Sequence, residues 1–393
     1  MDATIAHRSL HRYSLALLVI LVLMLGVHGR AIVQNFGQLH WEDQLFFAHE
    51  AEHIHSWGDC LTKPLWPGLY RPLTTNCYYY GVGILVGADP TVRVQAHHLL
   101  NLILYAANGL LLFRLASHFL PWGWALMGAA FFVSRRAHTE VVLNTVEFQG
   151  MAALFFSLLA LDCFARARRR GQWRWLGASC ALVGLALLSK ESALVLPAIL
   201  LLYGWRFDQP RPWPWYGAPL MVVGIWTGCF VAFFQSFSDY APTGFAYTAS
   251  PAVLVTNVSA YLVSFSNLLA NEPGNPVLPK AVADWANHGA TQLAVLLLCA
   301  SVPLLAWRRP AGLARPWQST WLLGLGFFLC AIAPYAVLAD RLFMRYGYFA
   351  HAGLALGLAA LFQGVAEAVR DLVLLYPVRE LRLELPTWWV RNL

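Results

Sequence analysis

Ten stretches of this chain, most of them close to twenty residues long, are nearly free of charge, and that feature decides most of what it can fold into. Inside a bilayer every backbone polar group must be satisfied within the protein, so an apolar run of about 20 residues reads as a membrane-crossing helix. The runs lie near residues 14–33, 94–117, 122–134, 148–165, 174–189, 192–205, 216–236, 290–307, 318–338 and 347–366. Those at 122–134 and 192–205 are short and read as tilted partners or as spans that extend into the interface. Hydrophobic residues make up 59% of the 393 and charged residues 12%, a charged share about half that of a soluble domain. The fold class expected is an all-α polytopic membrane protein with about ten transmembrane helices in a single domain over 1–393.

Orientation follows from Lys and Arg. With the N-terminus inside, 17 of the 27 basic residues fall on the inner side, and the short loop Arg166–Arg174 dominates that bias. Both termini are then cytoplasmic, with 367–393 as a short inner tail. The net charge of +7 has this topological origin, so no nucleic-acid partner is expected. Two long outer segments remain, 34–93 and 238–289, and the first is expected to hold juxtamembrane helices.

Chemistry gathers on that outer face. Trp41-Glu42-Asp43 opens a short amphipathic helix through Ile54, with Phe47, Ala51 and Ile54 on one side and His49, Glu50 and His53 on the other. Adjacent carboxylates there suit a general base or a divalent cation, although a solvated helix start has the same composition. His49 and His53 are four apart but lack the HExxH pattern, so no metal ligands are assigned. Tyr70-Arg71-Pro72-Leu73-Thr74 and Tyr78-Tyr79-Tyr80 follow, and His97 and His98 start the second span.

Three polar corners then join successive spans on the same face: Arg135–Glu140, Ser189–Ser192, and Asp340–Tyr348 with Arg345. Any one of them reads as an interfacial anchor. Together they place Lys190 and Arg345 on the side that carries Glu42 and Asp43, and cations beside a carboxylate suit an anionic leaving group. Asp162, four residues before Arg166, reads as half of an intrahelical ion pair. Cys60 and Cys77 share the first outer segment and would bridge if that side is oxidising. Asn257-Val258-Ser259 fits the N-glycosylation pattern.

In order and spacing, Glu42-Asp43, Tyr70–Thr74, His98-Leu-Leu-Asn101, His138-Thr139-Glu140, Ser189–Ser192 and Arg345–Tyr348 resemble the membrane part of the O-mannosyltransferases that carry tetratricopeptide repeats, and their bacterial relatives. More broadly the chain resembles GT-C glycosyltransferases. It departs from the pattern at Arg135-Arg136, where that family has His-Pro, and at Glu147-Phe148-Gln149-Gly150, where a basic and acidic motif is usual. No repeat array follows the last span in this sequence.

The resemblance implies a GT-C-like fold and transfer of a sugar from a polyprenyl-phosphate donor to an acceptor hydroxyl, on a protein or a glycan, at the outer face. It implies Asp43 as general base with Glu42 in support, and Arg345, Lys190 and Arg71 around the donor phosphate. Tyr70, His98, His138, Glu140, Glu191 and Tyr348 would position substrate. No organic cofactor is implied. A transporter or flippase of a lipid-linked sugar, and a non-catalytic partner that keeps the fold, are the alternatives. A bacterial inner membrane is the expected location, with the ER membrane as the alternative.

Overall fold

A computed structural model describes residues 3–38, 41–63, 70–87, 89–207, 214–234, 248, 250–266, 316–338 and 343–375. The expected span at 290–307, most of the outer segment 238–289 and the tail beyond 375 lie outside these residues. So do the side chains of Glu42, Asp43 and His49.

The described residues are almost wholly helical. Helix α1 (Ala3–Asn35) crosses first. The segment 34–93 then forms α2 (Trp41–His53), α3 (Trp57–Thr62) and α4 (Asn76–Val86). α5 (Pro90–Ala116) starts sharply because Asp89 accepts from the Thr91 and Val92 amides at 2.8 and 3.4 Å, with Pro90 in its first turn. α6 (Trp122–Val133), the five-residue α7 (Thr139–Leu143) and α8 (Phe148–Arg170) follow. Gly171, at φ 63°, ends α8 in a left-handed cap where a side chain would be strained, so the chain turns at once into α9 (Trp173–Ser189). α10 (Leu196–Phe207), α11 (Pro214–Phe234), α12 (Pro251–Ser266), α13 (Pro316–Ala336) and α14 (Gly347–Leu375) complete the bundle.

Five segments are long and apolar enough to cross a membrane: Leu10–Asn35, Pro90–Ala116, Thr145–Arg170, Pro316–Ala336 and Gly347–Asp371. Shorter apolar helices fill between them, and the protein is a multi-pass membrane protein. Lipid tails are as apolar as leucine, so backbone approach and interhelical hydrogen bonds hold such helices together. α13 and α14 cross through glycine: a methyl at Gly324 would lie 2.4 Å from the Gly357 amide nitrogen and 2.6 Å from the Gly353 carbonyl. α6 lies against α14 at Gly128, whose missing methyl would stand 3.1 Å from the Ala359 Cβ. Ser179 of α9 donates to the Ala160 carbonyl of α8 at 2.9 Å.

The segment 238–289 differs from the sequence expectation. It contains α12, which packs on α13 and α14 and buries Ala260 and Tyr261. Asn257 is buried there, and its amide donates to the Ala336 and Leu338 carbonyls at 2.9 and 2.6 Å. In the folded chain it is therefore closed to glycosylation. Arg135, one of the departures from the family pattern, is also buried. It donates to the Phe265 carbonyl at 3.1 Å, near the C-terminal end of α12 where a cation is favoured.

Asp162 meets Arg166 at 3.1 Å as expected. It also meets Arg114 at 2.8 Å and His118 at 2.7 Å, so this carboxylate ties α5 to α8.

Candidate active site

The turn 71–75 docks on the C-terminal end of α9. The Leu73 amide donates to the Leu188 carbonyl at 3.4 Å, and the Thr74 hydroxyl to the Ser189 carbonyl at 2.6 Å. This docking carries Arg71 to the next corner, where Lys190 ends α9 and Glu191 opens a 3-10 turn. Arg71 donates through Nε to Glu191 Oε2 at 2.7 Å, through its second terminal nitrogen to Glu191 Oε1, and through the other to Gln149 Oε1. Burial pushes the Glu191 carboxyl up, but the Arg71 guanidinium outweighs it and holds the group below its ordinary 4.5.

Beside this pair lies Glu147, at the end of the 3-10 turn Thr145–Glu147. Asn144 shapes that turn by accepting from the Val146 amide at 3.0 Å, and Asn101 of α5 holds it by donating to the Asn144 carbonyl at 2.8 Å. Glu147 is buried. Its Oε2 is 3.8 Å from Lys190 Nζ, and its Oε1 is 3.4 Å from Arg345 Nε. Arg345 enters from the turn Met344–Tyr346 and also meets Glu140 of α7 at 3.5 Å. The ring of Tyr346 lies under Lys190, 5.8 Å from its nitrogen, and stacks on Tyr335 at 4.5 Å.

Five of the residues singled out from sequence are thus brought together: Arg71, Lys190, Arg345, Glu140 and Glu191. For Glu42 and Asp43 the backbone lies in the first turn of α2, and α2 rests on α4 and on the turn that carries Glu147. The buried face of α2 differs from the one expected. Phe46 and Glu50 are buried and Ala51 is exposed, with Glu50 paired to Arg93 at 2.8 Å. Tyr78 and Tyr79 line the other side of this contact and are buried rather than spread along an interfacial belt.

Four expected substrate-positioning residues have other placements. Tyr348 is 1% exposed, enclosed by Tyr105, Phe132 and His138, and accepts from Asn108 at 3.0 Å, which leaves no ring face for a sugar. His138 is buried between Tyr105, 3.0 Å from its Nδ1, and His351, 2.9 Å from its Nε2. Burial and the neighbouring His351 push its pKa well below 6.5. His98 accepts from the Gly37 amide at 3.3 Å and links the first outer segment to α5. Tyr70 donates to the Leu61 carbonyl at 2.7 Å.

Sequence reasoning missed Glu147 and Gln149 as members of this cluster. The available signal was a carboxylate opening an apolar run, which is expensive at membrane depth unless paired. Gln149 is buried, and its Nε2 has no hydrogen-bond partner among the described residues.

Residues 91–230 match the family described as dolichyl-phosphate-mannose-protein mannosyltransferase. That stretch contains Glu140, Glu147, Gln149, Lys190 and Glu191, while Arg71 and Arg345 join it from either side. The protein O-mannosyl-transferase Tmtc2 of Drosophila melanogaster is 30% identical over 154 residues, which is 37% of this chain and 16% of that protein. The chain thus spans a small fraction of that relative's length. The crystal structure of the Archaeoglobus fulgidus oligosaccharyltransferase in its apo form aligns with a TM-score of 0.47 and 14% identity. That alignment covers 97% of this chain and 53% of the archaeal one. Over part of its length the chain is similar to membrane O-mannosyltransferases.

Proposed function

We propose that this protein is a membrane glycosyltransferase that moves a sugar, mannose in the first instance, from a polyprenyl-phosphate carrier to an acceptor hydroxyl on the outer face. The observation that carries this reading is the convergence of Lys190 and Arg345 on buried Glu147, with Arg71 held on Glu191 beside them. As the glycosidic bond breaks, negative charge grows on the departing phosphate. Fixed cations stabilise that charge more than they stabilise the bound donor, which lowers the barrier. Glu147 holds two cations in one place against their mutual repulsion. The buried Nε2 of Gln149 supplies a donor that an oxygen of the phosphate or sugar would satisfy.

The acceptor oxygen attacks the anomeric carbon, the bond to phosphate breaks, and the acceptor proton passes to a base. Asp43 is the proposed base and Glu42 supports it; the contact between α2 and the Glu147 turn favours that assignment. The names of the similar proteins favour a protein acceptor. The carrier's tail would lie among the helices, with both chain termini on the cytoplasmic side of a bacterial inner membrane or of the ER.

The test is release of polyprenyl phosphate from polyprenyl-phosphate mannose by purified protein, wild type against Asp43→Asn. Release that Asp43→Asn abolishes, in a protein that still folds, supports the transferase. Release at the wild-type rate would sink the assignment of the base. No release by wild type from any common sugar donor would shift the reading to a flippase or a non-catalytic partner.

A further inference from the structure

The first outer segment holds two thiols that the proposed chemistry does not use. Cys60 lies on α3 and Cys77 in the first turn of α4, and these two helices pack on each other. Asn76, beside Cys77, fixes the contact: its amide donates to the Cys60 carbonyl at 3.3 Å and to the Lys63 carbonyl at 2.7 Å. Tyr70 adds its bond to Leu61 on the same short helix. Both are free thiols in this structure, with Cys60 fully buried and Cys77 half-buried.

Burial, with Cys77 next to it, pushes the Cys60 thiol up to about 12, and burial raises Cys77 as well. The thiolate is the nucleophile in exchange, so neither group is suited to repeated redox chemistry. A bridge formed while the segment folds would be shielded afterwards. The segment between the two cysteines contains Arg71, so whatever fastens α3 to α4 fastens both ends of the turn that delivers Arg71 to Glu191.

We infer that Cys60 and Cys77 form a structural disulfide in the mature protein. The two thiols lose two protons and two electrons as the S–S bond forms. The electrons pass to the disulfide of a thiol–disulfide oxidoreductase on the outer side, which is reduced to its dithiol. The inference uses the outward placement of residues 34–93 and is independent of the transferase reading.

The test uses full-length protein extracted without reductant and denatured in the presence of a maleimide carrying a mass tag. Of the seven cysteines, the two bridged ones stay untagged until reduction, so the wild type gains two tags on reduction. Cys60→Ser and Cys77→Ser each gain none. Peptide mapping returns a reducible cross-link between the segments carrying residues 60 and 77. Full tagging of all seven thiols in the unreduced wild type overturns the inference, as does a cross-link that joins either cysteine to a different partner.

Discussion

Arg71 grips both carboxylate oxygens of Glu191 from 120 positions away in sequence, one of them at 2.7 Å. This is the fork geometry that lysine cannot reproduce. Arg71→Lys is expected to keep the charge, lose the second bond and lower stability by about 1–2 kcal/mol, a value moderated because Glu191 remains 39% exposed. Thermal unfolding in detergent measures it.

The same pair sets a pH dependence. Glu191 titrates below its ordinary 4.5 in the folded protein, so the unfolded chain takes up its proton first as pH falls. The stability that the pair contributes is fully present above about pH 5 and is lost as pH drops through the folded value. A pH series of melting temperatures should fall less steeply below pH 5 for Glu191→Gln than for wild type.

Glu147→Gln leaves Lys190 and Arg345 side by side without their shared carboxylate. Loss of turnover of about 100-fold is expected, together with destabilisation of about 3 kcal/mol because the charge is buried. Single-turnover release of polyprenyl phosphate and a melting curve report the two effects separately.

Gln149→Leu removes the buried amide at similar volume. Donor KM should rise about tenfold, the value of one hydrogen bond to a charged group, with kcat changed less. An unchanged KM would mean that the amide does not meet the donor.

Gly324→Ala forces a methyl into the α14 backbone and should cost about 1–3 kcal/mol. Asp162→Asn disturbs the contact of α5 with α8 instead, where Arg114, His118 and Arg166 converge. It is expected to lower the melting temperature while donor KM stays at the wild-type value.

The long spans were legible in the sequence because a bilayer tolerates few alternatives to an apolar helix. α5 and α13 appear within a few residues of where hydropathy places them. α12 was hidden because Asn257, Ser259 and Ser264 dilute its apolar character, and it is covered by protein on the side that buries Tyr261. Within the site, Lys190, Arg345 and Arg71 stood out because cations at outer helix ends are rare against the inner bias. Glu147 did not stand out, since its role depends on Lys190 and Arg345, which approach it from elsewhere in the chain. His138 and Tyr348 were drawn into the site by their place in a motif, and the fold uses them as packing. A motif marks which residues matter, while burial decides whether a ligand reaches them.

Asn257 has a last consequence, in cell biology rather than chemistry. Its amide is engaged only once α12 has met the end of α13, and until then the sequon is open. In a host that glycosylates the outer side, occupancy at Asn257 would therefore act as a timestamp. A chain that carries the glycan was modified before this contact closed, and the glycan would keep it from closing, so the modified fraction would mark chains bound for quality control.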